Sequence, residues 1–209
     1  MTEFNHGAFM AEWRRRQPMI PQSQYDVVMA ALAVGLGANP KVETSAKSRA
    51  GEPAWLTEAR SHIGTKEIPG KAHNPKIVQW WKDYTTLFRD DETPWCGGFM
   101  DHNFRHVGIA PPANSFRAAS WASWGDACKA QVGAVGVKAR RGGNHVFLIV
   151  GVTADGRYFK CLGGNQGNMV SIMDIAVEDV TAIRWPHGVP QLHIKLPLLP
   201  RGTISRNEA

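Results

Sequence analysis

The sequence predicts an α+β domain in which helices come first along the chain and an antiparallel sheet of about five strands follows. Apolar residues recur at helical spacing in the first half of the chain, and short runs rich in β-branched residues occupy most of the second half. Glycine-rich turns join these runs, and connections so short force neighbouring strands to run antiparallel. We therefore expect a helix that begins near Cys96 to pack on the sheet.

Composition favours one well-cored domain with extensions. The chain has 209 residues, 43% of them hydrophobic, and a formal net charge of +6. Its three cysteines show no CxxC spacing, so they predict neither a disulfide framework nor a zinc knuckle. The positive charge suits an anionic polymer, but the basic residues form no stripe interleaved with aromatic residues. We therefore expect no nucleic-acid partner.

Three segments are distinguished along the chain. Residues 1–52 are predicted to form an N-terminal helical extension and linker, residues 53–187 the main domain, and residues 188–209 a C-terminal tail. The extension contains an apolar run at 25–38, for which a buried helix and an export signal are the two interpretations, the helix being favoured. The run is shorter than the roughly 20 residues that span a bilayer, so we expect no stable membrane insertion.

Helical patterns begin at Pro53 and at Asn74-Pro75, and a third follows Thr93-Pro94. Thr93 fits the N-cap of this third helix and Pro94 its first position, which places Cys96 at the third helical residue. Unpaired N–H groups and the positive end of the helix dipole favour a thiolate there. Gly97 and Gly98 each cost about 1 kcal/mol in a helix, so we expect another segment to approach closely.

Strands are predicted after the helices, and together they form an antiparallel meander. The predicted strands are Val132–Val137, His145–Val152, Tyr158–Leu162, Met169–Ile175 and Thr181–Trp185. His145 opens the second of them, and Asn165 and Gln166 lie in the glycine-rich turn after the third. A cysteine at a helix N-terminus, a histidine and a polar side chain are the three groups that a thiol protease requires.

Three motifs carry a family resemblance over about residues 53–186. They are Trp-Cys-Gly-Gly-Phe at a helix start, Gly-Gly-Asn-His-Val-Phe-Leu-Ile-Val at a strand start, and Leu-Gly-Gly-Asn-Gln-Gly in the following turn. In order and spacing they resemble the NlpC and CHAP group of papain-like peptidoglycan hydrolases, particularly a phage-associated branch. The resemblance implies a papain-like fold, with the nucleophile helix packed on the antiparallel sheet.

The resemblance also implies roles for individual residues. Cys96 would be the nucleophile, His145 the general base and then acid, and Asn165 the residue that orients the imidazole, with Gln166 the neighbouring candidate. Trp95 stands where the family often has aspartate or another polar residue. The backbone N–H of Cys96 is the one oxyanion donor that we assign.

The implied activity is that of a cysteine peptidase or amidase that cleaves amide bonds of the peptidoglycan stem peptide by a Cys-His-Asn mechanism. Both an endopeptidase and an N-acetylmuramoyl-L-alanine amidase fit, and no cofactor is needed. We expect a phage-encoded endolysin or virion-associated lysin, present in the host cytoplasm or the virion and acting at the cell wall or periplasm. Residues 1–52 would then dock on virion or tail proteins. The alternative is a structural virion or secretion-apparatus component that retains the fold with little or no activity.

Two further groups of side chains were considered as binding residues. Trp95, Trp121, Trp124 and Gln166 are candidates to bind substrate, although aromatic residues at such spacing more often pack in a core. His102 and His106 have the i, i+4 spacing of zinc ligands, but they lack both the intervening glutamate of the HExxH motif and a third ligand. We therefore expect no metal site.

Overall fold

The computed structural model describes residues 51–82, 89–140 and 142–203, and in these residues the helices precede the sheet as predicted. The helices are α1 (Ala54–Ser61), α2 (Pro75–Lys82) and α3 (Cys96–His106), followed by two short 3-10 helices, Ala118–Ser123 and Val177–Asp179. The strands are β1 (Asp126–Ala127), β2 (Val135–Arg140), β3 (Gly143–Thr153), β4 (Tyr158–Gly163), β5 (Ser171–Ala176), β6 (Val180–Trp185) and β7 (Leu198–Leu199). The α+β class is therefore confirmed.

Most of the predicted extension 1–52, including the apolar run at 25–38, lies outside the described residues. The domain boundary near residue 52 therefore stays a prediction. Within the described part of the chain, no helix is both long enough and apolar enough to cross a bilayer.

The strands lie in the order β1-β6-β2-β3-β4-β5, and β7 runs parallel to the end of β3. The predicted meander is correct from β2 to β5, but β6 pairs with β2 and not with β5. In a flat sheet β5 and β6 would be four strand spacings apart, about 19 Å. The connection through residues 177–179 spans at most about 14 Å. The sheet must therefore curl until its two sides approach each other.

Helix α3 packs on β3 and β4. Phe99, Met100 and Phe104 of α3 are fully buried, and the adjacent Phe147 and Leu148 of β3 are both fully buried, so both faces of this strand are covered. Gly164, directly after β4, lies against Trp95 and Phe99 at the start of α3. This packing determines which loops meet at the helix N-terminus.

Part of the predicted tail packs on the domain. The Lys160 ammonium forms a buried ion pair with Asp174 and donates a hydrogen bond to the carbonyl oxygen of Pro200 at 3.0 Å. Asp174 in turn accepts the backbone N–H of Gly202 at 2.7 Å. Residues 198–203 thus cover a buried charge pair.

The helix that carries Cys96 begins later than the sequence predicts. Its N-cap is Trp95, whose carbonyl oxygen accepts the N–H of Phe99 at 2.9 Å, and Cys96 is the first helical residue. The carboxylate of Asp90 accepts the backbone N–H groups of Glu92 and Thr93 at 3.1 and 2.7 Å. This turn uses the Thr93 N–H before the helix starts, which explains the shift.

Gly97 is needed for a close backbone approach, as predicted. A Cβ atom at this position would overlap the carbonyl oxygen of Phe116 and would lie 2.6 Å from that of Ser115. The segment is held in place because the Ser115 hydroxyl donates to the buried carboxylate of Asp101, on the same helix. Replacement by any larger residue must therefore displace backbone and not merely a side chain.

We predict that Gly97→Ala destabilises the protein by about 1–3 kcal/mol, the usual cost of overpacking. Helix propensity alone predicts the opposite sign, a gain of about 1 kcal/mol. Urea unfolding followed by circular dichroism measures the difference. An unchanged or higher free energy of unfolding would show that Phe116 does not approach the helix this closely.

Candidate active site

Cys96 lies at the N-terminus of α3, where the first N–H groups of a helix have no intrahelical partner. The residue is 4% exposed. Trp95 before it is buried, and its indole N–H donates to the Glu67 carboxylate at 2.7 Å. Burial, offset by this hydrogen bond, raises the pKa of Glu67. The buried Trp95 ring and its hydrogen bond to Glu67 therefore fix the start of the helix next to Cys96.

His145 is fully buried, and its Nε2 lies 3.1 Å from Oε1 of the equally buried Gln166. The Gln166 amide nitrogen donates to the carbonyl oxygens of Cys161 and Ser171 at 3.1 and 2.6 Å. Because those two acceptors fix the amide orientation, its oxygen must face the imidazole. His145 Nε2 must then be the donor, and in the neutral ring Nδ1 is left as the basic atom.

Two adjacent glycines, Gly163 and Gly164, contact the His145–Gln166 pair on one side and the start of α3 on the other. A Cβ atom at Gly163 would lie 3.3 Å from His145 Nε2 and 3.0 Å from Gln166 Oε1, and one at Gly164 would lie 2.6 Å from the Trp95 ring. Gly164 is also in close contact with Phe99, in the first turn of α3. The β4–β5 turn therefore carries the imidazole partner directly to the helix N-terminus.

Asn165, one of the two candidates for the third position of the triad, lies in the β4–β5 turn next to Gln166. Its backbone is left-handed, with φ of 57°, and its side chain is 1% exposed. Asparagine is one of the few residues that adopt this conformation readily. Asn165 thus shapes the turn, and the hydrogen-bond geometry assigns the His145 contact to the neighbouring candidate, Gln166.

The tryptophans predicted to bind substrate lie in or against the core. Trp95 and Trp121 are at most 1% exposed, and the Trp121 indole N–H donates to the carbonyl oxygen of Ser115 at 2.7 Å. Trp124 is half-buried and packs edge-on against Phe104 and Trp121. This corrects the expectation for Trp95 and Trp121, because a ring with no exposed surface cannot line a groove. Gln166, equally buried, contacts His145 and is not placed to meet substrate.

Asp91 is a positioning group that the sequence analysis did not assign. Its carboxylate is fully buried and accepts the backbone N–H groups of Ile68 and Asn74 at 2.8 and 2.7 Å, together with a contact to His73 Nδ1 at 2.9 Å. Burial acts to raise the pKa of Asp91, but these hydrogen bonds together lower it. The carboxylate thereby fixes the loop that carries Glu67 against Trp95.

A third side chain that could ligate a metal ion lies beside the two histidines of α3. Glu58 of α1 lies beside them, and its carboxylate oxygens are 3.8 Å from His102 Nε2 and 3.5 Å from His106 Nε2. The expectation that this pair lacks a third ligand is therefore wrong. An i, i+4 pair is visible in sequence, but a partner more than 40 residues away on another helix is not.

Comparisons with known proteins give distant likenesses. No protein-family model matches the chain, and no curated protein does. The solved structure of the peptidoglycan hydrolase RipB from Mycobacterium tuberculosis has a TM-score of 0.44 at 18% identity, covering 78% of this chain and 81% of that one. A Staphylococcus aureus protein described as similar to a lipoprotein of the NLP/P60 family has a TM-score of 0.41 at 14% identity, covering 76% of this chain and 49% of that one. Function is accordingly argued from the site.

We predict that neutral His145 carries its proton on Nε2. In a Cys96→Ala background, at a pH that keeps the ring neutral, ¹⁵N NMR of the imidazole should show a protonated Nε2 and a basic Nδ1. Gln166→Ala should redistribute the tautomers. The matched control is Asn165→Gly, which removes the neighbouring side chain but tolerates the left-handed backbone. A response to the control and not to Gln166→Ala would restore Asn165 as the orienting residue.

Proposed function

We propose that this chain is a peptidoglycan hydrolase that cleaves an amide bond by thiol chemistry, with Cys96, His145 and Gln166 as the catalytic group. The observation that carries the proposal is the buried His145–Gln166 hydrogen bond, which the β4–β5 turn joins to the N-terminus of the cysteine helix. An imidazole fixed in one tautomer next to a helix N-terminus is the arrangement that activates a thiol.

Cys96 is the nucleophile in this proposal. Its place at the first residue of α3 lets the helix dipole and the free N–H groups stabilise a thiolate. The thiolate attacks the amide carbonyl, and the backbone N–H of Cys96 donates a hydrogen bond to the oxyanion that forms. The first turn of the helix thus serves both the sulfur and the developing negative charge.

His145 exchanges the protons. Nδ1 takes the thiol proton, and the imidazolium returns it to the leaving amine as the tetrahedral intermediate breaks down to a thioester. Water, deprotonated by the same imidazole, then hydrolyses the thioester and regenerates the thiol. Gln166 accepts the Nε2–H throughout, because its own nitrogen is held by two backbone carbonyls and cannot turn away. Gln166 therefore replaces Asn165 in the Cys-His-Asn mechanism that the family resemblance implies.

Peptidoglycan as the substrate is supported by the three motifs shared with NlpC and CHAP hydrolases and by the net charge of +6, which suits an anionic cell wall. Within this proposal the enzyme is a phage-encoded endolysin or virion-associated lysin acting at the cell wall. Endopeptidase and amidase activity both fit a thiol mechanism. Mass spectrometry of the muropeptides released from purified walls separates them, since each cleavage leaves a different new amine.

We predict that Cys96→Ala abolishes the digestion of purified cell walls and that His145→Ala lowers it by about 10²–10⁴-fold, the usual contribution of a general acid–base. The double variant should be scarcely worse than Cys96→Ala, because the two residues act as a unit. Turbidity loss of a wall suspension measures the rate, and Cys128→Ala is the control that keeps its activity.

The activity of the wild type decides between the proposal and its structural alternative. A folded wild-type protein that releases no muropeptide from any wall chemotype would favour a virion or secretion-apparatus component that has only kept the fold. Activity retained in Cys96→Ala would instead reject the thiol mechanism. Far-UV circular dichroism of each variant shows that a lost activity is not a lost fold.

We predict that iodoacetamide at neutral pH labels Cys96 much faster than Cys128 or Cys161. Burial, only partly offset by a hydrogen bond from Gln131, raises the pKa of Cys128, so less of its reactive thiolate is present at a given pH. Cys161 is fully buried in β4. Peptide mapping gives the three rates. In His145→Ala the labelling of Cys96 should move to higher pH while that of Cys128 stays in place; equal labelling of all three thiols would remove the basis for an activated cysteine.

A further inference from the structure

A second group of chemically active side chains lies between α1 and α3, away from the thiol. It consists of Glu58 on α1, His62 at the C-cap of α1, and His102 and His106 on α3. At about 1.5 Å of rise per residue, the two α3 histidines lie about 9 and 15 Å along the helix from Cys96. The thiol mechanism therefore leaves this group unexplained.

The distances within the group suit a single metal ion. One donor atom each from Glu58, His102 and His106 lie within 4.8 Å of one another, and the two carboxylate–imidazole separations are 3.8 and 3.5 Å. Two donors held at about 2.0–2.1 Å from zinc in tetrahedral geometry are about 3.3–3.5 Å apart. Small side-chain rotations would bring all three donors into coordination distance.

Two of the three donors are withdrawn from bulk water. The side chain of His102 is 20% exposed and that of Glu58 is 15% exposed. Partial burial limits the access of water that would compete with a metal ion for these donors.

His62 contacts the Glu58 carboxylate and helps to orient it. Its Nε2 lies 3.0 Å from Glu58 Oε1, and its side chain is 8% exposed. Second-shell contacts of this kind orient a ligating group. Its other ring nitrogen, Nδ1, is buried with no hydrogen-bond partner in the described part of the chain. His106, with a side chain 53% exposed, leaves the group open to solvent and so to an entering ion.

An ordinary salt bridge does not account for this arrangement. Three imidazoles converge on the one carboxylate of Glu58, with His62 Nε2 at 3.0 Å, His102 Nε2 at 3.8 Å and His106 Nε2 at 3.5 Å. The two longer separations exceed those of a good hydrogen bond. They suit donor atoms that share one ion.

We propose that Glu58, His102 and His106 bind one divalent transition-metal ion of the zinc class, with His62 orienting Glu58 and a fourth position open to water. Nitrogen and carboxylate donors in this number are typical of zinc. The ion joins α1 to α3 and stabilises the packing of the nucleophile helix. This site is independent of the proposed thiol activity, because none of its residues belongs to the catalytic group.

The test is a titration of the full chain, freed of metal with a chelator, by Zn²⁺ in a calorimeter and by Co²⁺ in a spectrophotometer. A Cys96→Ala background removes the competing thiol. We expect one ion per chain, a higher melting temperature with Zn²⁺, and Co²⁺ d–d bands without the charge-transfer absorption of a thiolate ligand. If micromolar Zn²⁺ gives no heat of binding, or if the Co²⁺ spectrum shows thiolate charge-transfer bands, the proposed site is wrong.

Variants locate the ion. His102→Ala should weaken binding by about 100-fold or more, and His62→Phe by about 10–100-fold as a second-shell change. His193→Ala is the control, since His193 is exposed and lies outside the group. If His102→Ala fails to fold, Glu58→Gln keeps the shape and should give the same loss. Binding that survives these changes places the metal elsewhere and refutes the proposal.

Activity distinguishes this proposal from the previous one. Zinc-free protein should digest cell walls at the wild-type rate well below its melting temperature, because Cys96 and His145 lie outside the metal group. EDTA should therefore lower the melting temperature and leave the rate unchanged. A rate that falls with EDTA and returns with zinc would contradict a purely stabilising ion.

Discussion

The close approach of backbone to the first turn of α3 is the constraint on which the rest of the structure depends. Phe116 contacts the helix at Gly97, and the β4–β5 turn contacts it through Gly164 against Trp95 and Phe99. Both approaches require a residue without a side chain. A wider separation would move the β4–β5 turn, which carries Gln166, away from the start of the helix.

The orientation of Gln166 determines which ring nitrogen of neutral His145 carries the proton. Two backbone carbonyls, one from β4 and one from β5, hold the amide nitrogen. A side chain whose orientation is fixed by the sheet loses little freedom when the imidazole becomes charged, and such preorganisation is what an electrostatic environment contributes to catalysis.

Sequence periodicity predicts the helices and most of the strands, since each depends on local pattern. The pairing of Cys96 with His145 is what the family resemblance implies, and it stays a prediction. The sequence does not separate Asn165 from Gln166. That choice depends on the three-dimensional course of the turn, in which Asn165 has a left-handed backbone and Gln166 Oε1 lies 3.1 Å from His145 Nε2. Trp95 and Trp121 are similar cases, because helical spacing identifies an apolar face without showing what covers it. Glu58 joins His102 only through helix packing, for which the sequence carries no local signal.

The position of each group along α3 follows from one property of the helix. Its N-terminus carries partial positive charge and its C-terminus partial negative charge, worth roughly 0.3–1 kcal/mol to a suitable ion at each end. Cys96 occupies the first position, where an anion is stabilised, and His106 the last, where a cation is stabilised. A thiolate and a metal ion placed the other way round would both be disfavoured. The order of the two proposed sites along the helix is therefore the one that its dipole favours.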